Sequence, residues 1–318
     1  MIVAWNVRKL VYDCIKSVYD QTKDIRFEII YVDNASEDGS VDMVKKEFPQ
    51  VIIIENNENK GFIKANNQAI EISKGRYVLL LNSDTIVLDN AIAKTVNFAD
   101  SHPDAAVVGC KVMNPDKTLQ RTCFMYPSVL NMFLSATYLY KIFPRSKFFG
   151  REQMTWWDFN ENREVETICG CFSLVRKEAI EQVGSMDEGY FVYGDDPDWC
   201  YRFKENNWKI MFFPDAKIIH YGGQTTKRMA GKFLLQLLGA KLIFIKKHRS
   251  RLAFRSACFF TALFFFFRVP YWFLAGIASR DKKRQLLSTA NTYLKGGFYC
   301  LVNWKNLLIS KGTVTVEP

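Results

Sequence analysis

Several signatures are missing from this chain of 318 residues, and each absence removes a class of function. There are only three histidines, and the eight cysteines never form a Cys-x-x-Cys pair, which argues against zinc-ribbon and thioredoxin-like sites. The closest pair, Cys169-Gly170-Cys171, lacks partner ligands for a metal and reads as small buried residues. No Gly-x-Gly-x-x-Gly and no Walker P-loop occurs, so an ordinary P-loop ATPase or dinucleotide oxidoreductase loses support. No signal peptide precedes the first helix-like stretch, and with the scattered cysteines this leads us to expect a reducing, cytosolic setting. Hydrophobic residues at 48% and charged residues at 24% exclude a disordered or collagen-like chain.

Acidic residues are nearly lacking from the last third. Residues 1–226 hold 26 Lys+Arg against 31 Asp+Glu, a net of −5, whereas residues 227–318 hold 17 against 2, a net of +15. A basic segment seeks a polyanion. This one also carries Phe259, Phe260, Phe264, Phe265, Phe266 and Phe267, an apolar run that belongs in lipid or a core, so an anionic membrane surface is expected as partner and nucleic acid is not. Arg268 divides Ala257 to Ala278 into apolar runs of 11 and 10 residues, each short of the roughly 20 needed to span a bilayer. The expectation is a pair of interfacial or re-entrant helices rather than a span.

The preceding two thirds alternate strand-like and helix-like segments, the pattern of an α/β fold with a mainly parallel sheet. Strands are expected at Met1 to Trp5, Phe27 to Val32, Val51 to Glu55, Tyr77 to Leu81, Ala106 to Val112, Thr167 to Val175 and Lys209 to Phe213. Helices are expected at Lys177 to Val183, Pro197 to Asn206 and Met229 to Ile245. Residues 114–163, with three prolines, read as loops and short helices. Two domains follow: an α/β domain over 1–226 and a basic, apolar helical region over 227–318.

Four groups of residues stand where chemistry is expected. Asp33, Asn34 and Ser36 follow the strand ending at Val32, and open parallel sheets bind ligands at the carboxyl ends of their strands. The same residues also make good turn and helix-cap chemistry. Asn82-Ser83-Asp84 follows the strand ending at Leu81, putting a carboxylate at that same edge, suited to a hard divalent cation that shares phosphate oxygens. Gly61 to Asn67 opens a helix whose first turns carry Lys64, Asn66 and Asn67, a place for diphosphate or sugar oxygens. Asp195-Asp196-Pro197-Asp198 packs three carboxylates into four positions at a helix start. Mutual repulsion raises one proton affinity there, which suits a general base. His220, in a turn before Gly222 and Gly223, fits a metal or phosphate role as well as a structural one.

Together these stretches resemble family 2 glycosyltransferases, the inverting enzymes of GT-A fold, and in particular their rhamnosyltransferase-like branch in cell-surface polysaccharide synthesis. The resemblance is carried in order by Ala4-Trp5-Asn6, Val32-Asp33-Asn34-Ala35-Ser36, Gly61 to Asn67, Leu80 to Thr85, Gly170 to Arg176, and Phe191 through Asp195-Asp196 to His220-Tyr221-Gly222-Gly223. It implies a Rossmann-like GT-A domain with a membrane-associated helical extension. It further implies that Asn6, Asp33, Asn34, Ser36, Lys64, Asn67, Asn82, Ser83 and Gly170 hold the nucleotide sugar. Asp84 and His220 would bind Mg²⁺ or Mn²⁺, and Asp196, supported by Asp195, would be the catalytic base. The implied donor is a UDP- or dTDP-sugar, with rhamnose among the candidates. The implied acceptor is a glycan linked to polyprenyl diphosphate at the cytoplasmic face of the inner membrane, where the protein would be peripheral or monotopic. Two departures from the family pattern are Asp195 in place of Glu and Asn82 in place of the first Asp of Asp-x-Asp. Competing readings are an inactive membrane-associated scaffold, a sugar nucleotidyltransferase, which lacks its Gly-rich, Arg-bearing N-terminal loop here, and a processive synthase, which lacks Gln-x-x-Arg-Trp.

Overall fold

The computed structural model describes residues 1–190, 193–222, 230–279 and 281–307. The first elements are β1 (Ile2–Ala4), α1 (Arg8–Gln21), β2 (Ile30–Asp33), α2 (Ser40–Glu47), β3 (Ile52–Glu55), α3 (Phe62–Ile72), β4 (Tyr77–Leu81), β5 (Thr85–Leu88), α4 (Ala91–Ser101) and β6 (Ala105–Met113). Short β7 (Leu119–Gln120) and β8 (Cys123–Phe124) come next, then α5 (Val129–Thr137) and α6 (Leu139–Ile142). The chain continues through β9 (Arg163–Glu164), β10 (Thr167–Ile168), β11 (Phe172–Arg176), α7 (Lys177–Val183), α8 (Asp195–Glu205) and β12 (Lys209–His220). Helices α9 (Ala230–His248), α10 (Arg251–Phe266), α11 (Val269–Ala278) and α12 (Lys283–Val302) complete it.

The expected parallel pairing is found in β1-β2-β3 and between β6 and β12. The larger sheet, in order β4-β11-β6-β12-β5, is mixed. β11 enters it antiparallel to both β4 and β6, and β12 runs antiparallel to β5. Met1 joins the two sheets: its amino group donates to Leu79 O at 2.8 Å and its carbonyl accepts from Leu81 N at 3.1 Å.

Helix formation follows the apolar spacing. Val11, Cys14, Ile15 and Val18 of α1 recur at three- and four-residue intervals and are all buried against Ile2, Tyr31, Val87 and Phe172. The predicted strand over Thr167 to Val175 is interrupted at Cys169–Cys171, and the predicted strand Lys209 to Phe213 continues past Pro214 into one 12-residue strand, with a register shift between Phe213 and Lys217. Proline supplies no ladder donor, and the bulge absorbs it.

The chain divides into two compact units. One takes in Met1–Tyr126, Asp158–Phe191 and Asp195–Gly222; the other takes in Pro127–Trp157, Val192–Gly194 and Gly223–Pro318. The second unit therefore includes residues 127–157, which the boundary at 226 had assigned to the α/β domain. Side-chain chemistry explains this: Phe133 meets Phe260 edge-on at 5.2 Å, and Arg268 Nη2 donates to Ala136 O at 2.8 Å. One helical stretch of the second unit, Arg251–Ala278, is long and apolar enough to cross a membrane by length and composition. It is broken at Phe267 and Arg268 into α10 and α11, as the sequence led us to expect. Phe191, Gly223 and the Met229 helix start lie outside the described residues.

Candidate active site

Strand register brings the second acidic group to His220. His220 pairs with Thr85 across the β12–β5 ladder, which places its ring beside the turn that ends β4. The β6 residue Met113 pairs with Ile219 on one side and with Leu119 on the other, which brings Gln120 to the far side of the ring. Accordingly His220 Nε2 lies 3.1 Å from Asp84 Oδ1 and 3.3 Å from Asn82 Nδ2, and Nδ1 lies 2.5 Å from Gln120 Oε1. Ser83 is half-buried on the same turn. Burial alone would lower the His220 proton affinity, but the Asp84 hydrogen bond and charge outweigh it and hold it above the ordinary histidine value.

The donor set fits a divalent cation. Two donor atoms 3.1 Å apart match neighbouring positions of an octahedral ion with bonds of about 2.1 Å. Gln120 can only accept through Oε1, so it holds the proton on Nδ1 and leaves Nε2 as the ligand nitrogen. Among the described residues no group of three or more His, Cys, Asp and Glu could hold an ion unaided, so phosphate oxygens and water would complete the shell.

Asp196 stands at the first turn of α8, and its Oδ2 accepts from Gly170 N at 3.0 Å. A Cβ added at Gly170 would come within 2.8 Å of Asp196 Oδ1, so a side chain there would push the carboxylate aside. Gly170 is therefore a positioning residue for Asp196. Burial, then the neighbouring Asp195 charge, push the Asp196 carboxyl well above the usual carboxylate range. The third acid holds the fold together: buried Asp198 accepts from Tyr190 OH at 3.1 Å and pairs with Arg202 Nε at 3.0 Å.

Residues 169–171 tie the two groups together. Asn82 N donates to Cys171 O at 3.1 Å, while Gly170, one residue away, bonds Asp196. One tripeptide thus spaces the Asp84–His220 pair from the Asp196 carboxylate. The hydrogen bond from Cys171 brings the proton affinity of the Cys169 thiol down to about 7 against the opposing effect of burial.

The other sequence-singled residues fall into two sets. Asp33 is buried at the carboxyl end of β2, accepting from Tyr31 OH and from Ser36 N, each at 2.7 Å. Ser36 Oγ accepts from Asn6 N at 2.9 Å, and Asn6 Oδ1 accepts from Glu37 N at 2.8 Å, stitching the β1 and β2 loops into one edge. Asn6 and Ala35 hold φ of +52° and +62°, a left-handed conformation that costs Ala35 on the order of 1 kcal/mol or more. Asn34 is buried between Gly61 O and Asn56 Nδ2. In α3 the amide of Asn67 clasps the Met186 backbone, donating at 2.9 Å and accepting at 3.1 Å, and Lys64 lies 3.7 Å from Glu188. Both are engaged by the residue 186–188 loop. Gln120 and Tyr31 were not singled out by sequence; Gln120 lies in the 114–163 stretch whose pattern is least regular.

Comparison with known proteins bears on the family of the chain. The family model described as Glycosyl transferase family 2 matches residues 1–184. An N-acetylglucosaminyl-diphospho-decaprenol L-rhamnosyltransferase of Mycobacterium tuberculosis is 25% identical over 233 residues, covering 70% of this chain and 75% of its own. The Escherichia coli UDP-Glc:alpha-D-GlcNAc-diphosphoundecaprenol beta-1,3-glucosyltransferase WfaP is 35% identical over 103 residues, 32% of this chain and 40% of its own. Among solved structures, the Pyrobaculum calidifontis mannosyltransferase PcManGT, in complex with GDP-Man and Mn²⁺, superposes with a TM-score of 0.57 at 14% identity over 95% of this chain and 86% of that one. Family match, fold likeness and the acid-bearing strand ends converge: the chain belongs to glycosyl transferase family 2 and is a glycosyltransferase of GT-A fold.

Proposed function

We propose that the protein transfers a single sugar, with inversion, from a UDP- or dTDP-sugar to a hydroxyl of a glycan linked to polyprenyl diphosphate, at the cytoplasmic face of the membrane. The observation that carries this reading is the Asp196 carboxylate, its proton affinity raised, held one tripeptide away from the Asp84–His220 pair. The names of the relatives support the acceptor class, since both the mycobacterial and the E. coli protein act on diphosphate-linked polyprenols.

Asp196 takes the proton of the acceptor hydroxyl as that oxygen forms its bond to the anomeric carbon. The bond from that carbon to the diphosphate oxygen breaks on the opposite face, and the nucleoside diphosphate leaves with the electron pair. One displacement inverts the anomeric centre. Asp195, by its charge, keeps the Asp196 carboxylate basic. Asp84 and His220 would hold Mg²⁺ or Mn²⁺, which when bound neutralises charge on the departing diphosphate. The Asn6, Asp33, Asn34 and Ser36 edge receives the nucleotide, with Asn82 and Ser83 beside the diphosphate. A proton on His220 competes with the cation, because the ligand nitrogen is the one facing Asp84.

The test is a panel of UDP-, dTDP- and GDP-sugars with Mn²⁺, read by thermal shift in wild type and Asp84→Ala. A metal-dependent shift for one nucleotide, lost in the variant, is expected. Product from a polyprenyl-diphosphate glycan with the donor's anomeric configuration retained would refute the single displacement. Equal donor-induced shifts in the two proteins would refute the Asp84 role.

A further inference from the structure

We infer that α10, α11 and α12 form a helical hairpin that lies in the plane of an anionic bilayer leaflet, rather than crossing the bilayer. This goes beyond the transfer reaction and does not depend on the donor or acceptor.

The hairpin geometry follows from its close contacts. A Cβ at Gly297 would come within 2.6 Å of the Phe266 ring, and one at Gly276 within 2.8 Å of Leu287. These contacts pair the end of α12 with the end of α10 and the start of α12 with α11, so α12 runs back along both. Any orientation of Arg251–Ala278 in a membrane is therefore shared by α12. That helix is unfit to cross. Its exposed residues include Ser288, Asn291 and Lys295, which fall on one face, and a crossing would hold that face in hydrocarbon. Leu294, Phe298 and Leu301 are also exposed and lie roughly a quarter turn round the helix, with Phe298 at 55%. Such a surface, half polar and half apolar, suits the boundary between headgroups and acyl chains.

Arg268 fits the same geometry. It marks the break between α10 and α11, and its guanidinium is held by Phe264 O at 2.7 Å and Ala136 O at 2.8 Å. It also lies 3.8 Å from the Phe264 ring centre and 4.2 Å from that of Tyr138. Its donors are thus met by protein where the two helices bend. Tyr271, Phe273, Leu274 and Ile277 leave α11 with an exposed apolar surface no described residue covers, Phe273 at 51%. Charge selects the occupant: Arg251, Arg255, Lys282, Lys283 and Arg284 are exposed at the hairpin's two ends, in a region with 17 basic residues against 2 acidic ones. A bilayer containing phosphatidylglycerol offers both the apolar layer and the negative surface.

The test uses the full chain in sealed inverted inner-membrane vesicles from a bacterial host, with Arg251→Cys or Asp281→Cys and a membrane-impermeant maleimide. Both variants also carry Cys169→Ser, because Cys169 is half-buried and has a lowered proton affinity, while the other seven native cysteines are buried and keep background low. Both variants are expected to label without detergent. Labelling of Asp281→Cys only after detergent would show a span and overturn the inference. In a parallel flotation assay, wild type is expected to bind phosphatidylglycerol-containing vesicles, and Lys282→Gln/Lys283→Gln/Arg284→Gln to bind them roughly fivefold less per charge removed. Phe273→Glu/Phe298→Glu is expected to lose most binding. Protein that stays with the soluble fraction, or binds neutral and anionic vesicles equally, overturns it as well. Either failure leaves the donor-panel result standing, so the two readings are tested separately.

Discussion

Replacing Asp196 by Asn should inactivate the enzyme and make it more stable. The carboxyl is enclosed beside Asp195, so folding raises its proton affinity, and the folded state binds a proton the unfolded chain has already released. The sign is then fixed. The wild-type side chain contributes stability that is fully present below the unfolded carboxylate pKa of about 3.9 and is lost as pH rises through the folded value. Asn keeps an oxygen acceptor for Gly170 N and carries no charge. The stability gap between variant and wild type therefore opens at about 1.4 kcal/mol per pH unit within that window and is constant above it. For a protein of this size each such step corresponds to roughly 2–4 °C in melting temperature. Thermal melts of both proteins from pH 4 to 9, with transfer activity on the same samples, measure it. The expected result is a variant that melts higher at neutral pH, the same near pH 4, and turns over on the order of 10²–10⁴-fold more slowly. A variant that melts lower than wild type at neutral pH would refute the claim that the carboxylate is held in a costly environment, and retained turnover would refute its role as base.

Gly170→Ala should lower kcat on the order of 100-fold with the KM for donor little changed, because the new Cβ displaces the Asp196 carboxylate and not the nucleotide edge; steady-state kinetics separate the two. Gln120→Leu should weaken Mn²⁺ binding roughly 10–100-fold by freeing the imidazole tautomer, with Gln120→Glu recovering much of it, as followed by calorimetry. Cys169 should be alkylated by iodoacetamide with a rate that climbs through pH about 7, and its modification should abolish transfer, whereas Cys14, its thiol pushed up by burial to about 11, stays unmodified; peptide mapping identifies the site.

Elements whose character is local were legible in sequence. Tyr77–Leu81 and Lys177–Val183 have the bounds the pattern gives, because a continuous apolar strand and a short amphipathic helix are written in their own residues. Strand direction is not. Nothing in the alternation of Phe172–Arg176 says that it runs antiparallel between β4 and β6, since that is set by how the chain returns. The same holds within the site. Asp84, His220 and Asp196 stand out as rare polar residues at element ends, and the structure brings Asp84 against His220. The turn at Gly170 reads as mid-strand until its carboxylate neighbour, 26 residues later, is in place. Gln120 is invisible for a similar reason, since its partner is 100 residues away and its own strand has only two residues.

The insertion of β11 also bears on how the protein is made. β4 and β6 are complete once residue 113 has been synthesised, yet the strand that fills the space between them ends at Arg176. At bacterial elongation rates of about 5–20 residues per second, two hydrogen-bonding edges stay open on the nascent chain for roughly 3–13 s. Open edges are templates for pairing with other chains. The strand that connects the two halves of the catalytic edge is thus also what closes this sheet to aggregation, and a ribosome that stalls within residues 114–171 releases a product with the gap unfilled.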